Sequence, residues 1–250
     1  MWHTFNTALS FLTIIRLPHS SKRLATPEEL AAGFSFFPLV GLILGAFCLL
    51  IALGFQSFAP PPLPALAVTA ALAFLTRALH LDGLADLADG IWGAYTADRR
   101  LEIMKDSRIG AFGALALIFA VLIKAASICL VLEHGFLMAL LVVPMLSRTG
   151  MVLAAFKAPY ARKEGGLGKP FLEHMTARQL ITACLTAGAL LLILSPRQAL
   201  PLALAATALA VVLKHAVTRA LGGITGDVLG AINELGEAVL FFIAACLPLH

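Results

Sequence analysis

From Ala111 to Leu132 the chain runs for twenty-two residues with one charged side chain, Lys124. A stretch of that length and apolarity can cross the roughly 30 Å hydrocarbon core of a bilayer as a helix. Lipid offers no partner to backbone amides, so a spanning segment must bond to itself, and an α-helix does so. Similar runs, punctuated by proline or charge, occupy about 34–56, 63–80, 111–132, 136–156, 180–195, 199–217 and 227–247. Seven spans predict an all-α, polytopic membrane helix bundle, with Trp2–Leu17 as a short N-terminal interfacial segment. Only 13% of the 250 residues are charged and 60% are hydrophobic. Soluble domains carry about a quarter charged residues, so a separate soluble catalytic domain is excluded. No repeat or low-complexity linker divides the chain, which is read as a single domain over 1–250.

Charge in the connections sets an orientation. Fifteen of the eighteen basic residues fall on one face, the exceptions being Lys124 and Arg148 within spans and Arg197 on the other side. The N-terminal stretch with Lys22 and Arg23 contributes, as do the 81–110 and 157–179 loops and the link holding Lys214 and Arg219. By the positive-inside bias that face is cytoplasmic, which places the N-terminus inside and the C-terminus outside. The formal net charge of +4 follows from the same bias, and without aromatic-interleaved basic runs it does not point to nucleic acid. Cys48, Cys129, Cys184 and Cys246 lie far apart in apolar stretches with no CxxC spacing, so neither a disulfide framework nor a zinc site is expected. No basic segment, apolar core and small-residue cleavage site succeed one another at the start, so no removed signal peptide is expected.

The chemistry is concentrated in acids. His80-Leu-Asp82-Gly-Leu-Ala-Asp86-Leu-Ala-Asp89-Gly90 follows directly on the second span. At 100° per residue Asp82, Asp86 and Asp89 share an arc of about 60° on one helix face. Like charges so placed destabilise one another unless a cation intervenes. Hard oxygen donors without thiolate or paired-imidazole companions suit Mg²⁺ or Mn²⁺ shared with substrate phosphates. The plainer reading, a solvated acidic face, fits poorly because Leu, Ala and Gly separate the acids where Lys or Arg would be expected. A second acidic stripe opens the last span, with Asp227, Glu234 and Glu237 after Gly222-Gly-Ile-Thr-Gly. Acids inside an apolar helix are functional by default in a membrane protein, the alternative here being structural pairing with Lys124 or Arg148.

Cations surround these acids in sequence. Arg99, Lys105 and Arg108 flank Asp106, and Arg162, Lys163 and Lys169 surround the glycines of Gly165-Gly-Leu-Gly168. Arg suits a diphosphate through its fork and Lys as a point charge, while glycine lets backbone approach an anion. The alternative is an ordinary positive-inside loop. Arg148 lies about 12 Å from the inner end of its span, within reach of a cytoplasmic site. The candidate metal ligands are Asp82, Asp86, Asp89, Asp106 and Asp227. The candidate phosphate binders are Arg99, Lys105, Arg108, Arg148, Arg162 and Lys169. Asp82, Asp106, Glu234 and His80 are candidates for acid–base work, His80 having a satisfied helix-end group as its alternative. No Ser-His-Asp or Cys-His constellation is present in sequence.

Several blocks, in order, resemble the cobalamin synthase family, the adenosylcobinamide-GDP ribazoletransferases of bacteria and archaea. They are Phe11-Leu-Thr with Arg16-Leu-Pro18, Phe37-Pro-Leu-Val-Gly-Leu42, His80 to Asp89-Gly90, Arg100-Leu-Glu-Ile-Met-Lys-Asp-Ser-Arg108, Ala161-Arg-Lys-Glu-Gly165 with Gly168, and Gly222-Gly-Ile-Thr-Gly-Asp227 with Glu234. Ile15 interrupts a Thr-Arg-Leu-Pro pattern and Gly166 reads as an extra glycine, but neither departure touches an acid. The resemblance implies transfer from adenosylcobinamide-GDP to α-ribazole or its 5′-phosphate, giving adenosylcobalamin or its phosphate plus GMP. It also implies Mg²⁺ as cofactor, a bacterial inner-membrane location with a cytoplasmic site, and a homo-oligomer or association with other late cobalamin enzymes as partners to test. Two readings compete. A CDP-alcohol phosphotransferase would share the metal logic, although the Ala-Arg after its second Asp is missing here. An ion-coupled transporter would use the acids and Lys124 as a relay, but no inverted pair of broken spans is visible in sequence.

Overall fold

A computed structural model describes residues 1–18, 25–56, 58–166 and 168–247. In chain order the helices are α1 (Trp2–Leu12), α2 (Pro27–Ala32), α3 (Phe37–Gln56), α4 (Pro62–Leu75), α5 (Leu79–Gly93), α6 (Ala97–Ile103), α7 (Ala111–Glu133), α8 (Ala139–Ala155), α9 (Lys169–Glu173), α10 (Ala177–Leu194), α11 (Ala199–Leu221) and α12 (Gly226–Cys246). A 3₁₀ turn over Gly33–Phe36 joins α2 to α3. The only β interaction among the described residues is an isolated parallel bridge between Tyr160 and Ile224. Lys22 and Arg23, counted above on the inner face, lie outside the described residues.

Among the described residues, five helical segments are long and apolar enough to cross a membrane: the run Pro27–Phe55, α7, α10, α11 and α12. The expected span at 63–80 is instead the broken pair α4 and α5, bent by 85°. The expected span at 136–156 is α8, only 17 residues, or about 25 Å. The seven predicted spans therefore resolve into five full-length helices, a sixth if the bent pair counts as one, and a short central helix.

Helix α8 is central because small and apolar residues cover all its sides, and fifteen of its residues are buried. Along α3, the bare Cα atoms of Gly41 and Gly45 meet the carbonyls of Pro144 and Leu140, where a Cβ would overlap them. Pro144 lacks the N–H that would bond Leu140's carbonyl within α8, and Gly45 packs against that freed oxygen. Close backbone approach through small residues is how helices associate in lipid, where apolar burial supplies no drive.

The break between α4 and α5 positions the site. Arg77 and Ala78 adopt left-handed φ of 56° and 54°, each costing about 1–2 kcal/mol for a residue with a Cβ. Contacts with the last turn of α1 and the residues after it offset that cost: Ile14 N donates to Leu75 O at 2.8 Å, and the Arg77 guanidinium donates to Ser10 O and Phe11 O at 3.4 Å. The bend turns α5 across the start of α12. There a Cβ at Gly83 would come within 2.6 Å of the Asp227 carbonyl oxygen, and one at Gly230 within 3.2 Å of the His80 Cα.

Candidate functional site

The acids of α5 have different fates. Asp82 is exposed and Asp86 half-buried, and no hydrogen bond or ion pair among the described residues engages either carboxylate. Asp86 lies within electrostatic reach of Asp227, Asp82, Arg162 and Asp89. Asp89 is committed elsewhere: it accepts from Gly110 N at 2.7 Å and Gly113 N at 2.8 Å. Gly110 is the N-cap of α7 and has no side chain to cap with, so a carboxylate from another helix satisfies the orphan amides and meets the positive end of the helix dipole. Cβ atoms at Gly110 or Gly113 would overlap that carboxylate. The predicted three-acid stripe is thus two unengaged acids and one helix cap.

Asp227 sits in the first turn of α12, beside its N-cap Thr225, whose hydroxyl accepts from Val228 N and donates to Asp227 Oδ2 at 3.2 Å. Arg162 donates to the same Oδ2 at 2.6 Å and to Met104 O at 3.3 Å. The loop carrying Arg162 is pinned by Ala161 N to Ile224 O at 3.0 Å and by Ile224 N to Pro159 O at 2.9 Å. Gly223 permits this closeness, since a Cβ there would lie 2.8 Å from Ala161 N. Arg100 ties α6 to the end of α11 through Ala220 O at 3.1 Å.

A cleft of about 260 Å³ opens beside this ion pair, walled by Asp98, Glu102, Lys105, Arg162, Lys163 and Glu164 together with Leu101 and Ala161. Lys105 pairs with Glu164 across it and holds that carboxyl below its ordinary pKa. Of the other predicted phosphate binders, Arg99 pairs with Glu102 at 2.7 Å and Lys169 with Glu173 at 3.7 Å. Arg108 wraps Asp106, the closest contact being 2.6 Å, and holds its carboxyl down to about 2. None of Arg99, Arg108, Lys169 or Asp106 lines the cleft.

Arg148 and Glu234 lie elsewhere. Arg148 is wholly buried and bonded to Glu237, and Lys124 joins both Glu237, at 2.6 Å, and Glu234. Two cations and two carboxylates thus neutralise one another between α7, α8 and α12. In place of the cytoplasmic phosphate expected for Arg148 and the reacting groups expected for Glu234, burial gives Arg148 the Glu237 carboxylate and Glu234 the Lys124 ammonium. His80 is also buried, and its Nδ1 lies 2.9 Å from the Asn233 amide nitrogen. Asn233 was not singled out in the sequence, although a polar residue within an apolar helix was the available signal.

Among the described residues no three acids, histidines or cysteines converge closely enough to enclose a metal ion. What the geometry assembles is an acidic pair, Asp82 and Asp86, next to an Arg162–Asp227 ion pair at a cleft lined by three cations and three acids. The family model for cobalamin-5-phosphate synthase matches residues 4–245. The chain belongs to the cobalamin-5-phosphate synthase family. Among relatives, the adenosylcobinamide-GDP ribazoletransferase of Syntrophobacter fumaroxidans is 54% identical over 99% of this chain and 100% of its own. Those of Klebsiella pneumoniae strain 342 and Chlorobaculum parvum are 41% and 38% identical, over 98% and 96% of this chain and 99% and 93% of theirs. No solved structure matches the chain.

Proposed function

We propose that this protein joins adenosylcobinamide-GDP to ribazole, releasing GMP, at the inner ends of α5 and α12. The observation that carries the reading is the juxtaposition of unengaged Asp82 and Asp86 with the Arg162–Asp227 pair in a chain that matches the family almost end to end. In the reaction a hydroxyl of the acceptor attacks the corrinoid-side phosphorus of the diphosphate, and the bond to the GMP oxygen breaks. Charge builds on the departing phosphate. Arg162, with Lys105 across the cleft, is placed to take phosphate oxygens, its guanidinium exchanging part of its bond to Asp227 for them. Asp227, freed in that exchange, is a candidate acceptor for the hydroxyl proton.

Mg²⁺ suits this donor set. Magnesium binds through one or two carboxylates plus substrate phosphates and water more often than in an all-protein cage. Asp82 and Asp86, hard oxygen donors one helical turn apart and unpaired among the described residues, meet that description. Bound there, the ion would neutralise diphosphate charge. Asp89 then orients α5 against α7 and is removed from direct ligation, while Asp106, Arg99, Arg108 and Lys169 stay in ion pairs outside the cleft. The site opens to the cytoplasm of a bacterial inner membrane, the face where fifteen of eighteen cations fall, with α1 lying along that interface and α8 completing seven membrane-embedded segments.

The test offers the purified protein adenosylcobinamide-GDP or a CDP-alcohol, each with acceptor and Mg²⁺. Release of GMP with cobalamin formation is expected. CMP release without GMP would transfer the chain's chemistry to the phospholipid reading.

A further inference from the structure

Arg162 lines the polar cleft, and its partner Asp227 lines a second cavity, of about 100 Å³, whose walls are mostly apolar. Asp227 stands at its edge, His80 forms part of its wall, and Phe11, Phe34, Phe37 and Phe171 supply aromatic surface. These rings form one cluster, with centroids 4.5 Å apart for Phe11–Phe171, 4.7 Å for Phe34–Phe37 and 5.7 Å for Phe34–Phe171. They come from α1, the continuous 3₁₀ turn and start of α3, and α9, three stretches of the chain that converge at this one place.

His80 is the unusual member of the wall. It is 2% exposed, and its Nε2 meets no hydrogen-bond partner among the described residues. With the amide nitrogen of Asn233 turned toward the ring at 2.9 Å, Nδ1 is the acceptor and the ring's proton is on Nε2; in that orientation Asn233 Oδ1 is likewise without a partner among the described residues. A buried N–H without an acceptor is disfavoured unless a ligand supplies one. The cavity therefore asks for a flat, mostly apolar ring bearing one hydrogen-bond acceptor.

Resting on the transferase reading above, we propose that this cavity holds the aromatic base of the acceptor nucleoside, with the Nε2–H of His80 donating to its imine nitrogen. Ribazole is a riboside of a benzimidazole-type base: two fused flat rings, an apolar carbon rim, and one unsubstituted ring nitrogen that only accepts. The other ring systems in the reaction do not suit the cavity. Guanine presents an amide and an amino group that would go unpaired against phenylalanine, and a corrin macrocycle is far too large. Seating the base here puts its ribose toward Asp227, whose partner Arg162 lines the cleft that would take the nucleotide donor. His80 is then a specificity-determining residue and takes no part in proton transfer.

The test compares two acceptors with the purified protein, adenosylcobinamide-GDP and Mg²⁺, reading GMP release. One is ribazole; the other is the riboside of the matching dimethylindole, in which C–H replaces the imine nitrogen. The wild type should show a KM about tenfold to a hundredfold lower for ribazole, the range expected when a buried donor loses its acceptor. His80→Phe, which keeps a planar ring and removes the donor, should shrink that preference to less than about threefold by raising the ribazole KM alone. Phe171→Ala should raise KM for both acceptors together. Equal KM values for the two ribosides in the wild type would overturn the proposal without recourse to any variant, and so would a His80→Phe protein that keeps the full preference. Absence of GMP release with either acceptor would strike the transferase reading itself, a result distinct from release with both.

Discussion

Asp82 and Asp89 lie seven residues apart on one face of α5, and their surroundings assign them separate work. Asp82 is exposed and unpaired among the described residues, so Asp82→Asn should leave stability within about 0.5 kcal/mol of the wild type. Asp89 holds two amides of α7. Asp89→Asn must turn an NH₂ toward one of those N–H groups and should cost about 2 kcal/mol of stability, with activity falling in parallel. Melting temperature in detergent, read beside GMP release, separates the two: one variant loses only turnover and the other loses both. Gly113→Ala should resemble Asp89→Asn, because its Cβ enters the space of the same carboxylate. That three acids share a face was legible from their spacing. The role of Asp89 was not, because the amides it caps are more than twenty residues away and glycines at their positions carry no cap of their own to announce it.

At the scale of elements, the acidic stripe of α12 divides in the same way. Asp227, in the first turn, meets Arg162, whereas Glu234 and Glu237 face Lys124 and Arg148 in the bundle interior. Structural pairing of these acids with Lys124 or Arg148 was one of two readings open in the sequence, and burial is what realises it. Removing one cation leaves an uncompensated buried charge, so Lys124→Met should destabilise by about 3–5 kcal/mol. Adding Glu234→Gln leaves Glu237 paired with Arg148 alone, and this double variant should melt above the single one. A double variant that melts lower would mean that the four groups do not act as a charge-balanced set. The break after α4 was invisible in sequence for a different reason. Thr76-Arg-Ala78 contains no proline or glycine, and its left-handed turn is held by contacts from the α1 segment that local propensity does not encode.

For the whole molecule, apolar run length located the full-length helices, since the hydrocarbon thickness of the bilayer dictates it. It misjudged α4, α5 and α8, whose lengths answer to packing inside the bundle. Orientation rests on loop charge alone: a reporter fused after His250 should behave as periplasmic, and a cytoplasmic signal would require recounting the crossings. In the proposed reaction Asp82 and Asp86 would hold a divalent cation, which would neutralise diphosphate charge. The most direct measurement is GMP release by purified wild type, Asp82→Asn and Asp86→Asn across a Mg²⁺ titration, with folding verified for each. Loss of one charged ligand should cost on the order of 3 kcal/mol, about a hundredfold in rate, and should shift or abolish the Mg²⁺ dependence. Near-normal rates and an unchanged Mg²⁺ profile in both folded variants would contradict the account.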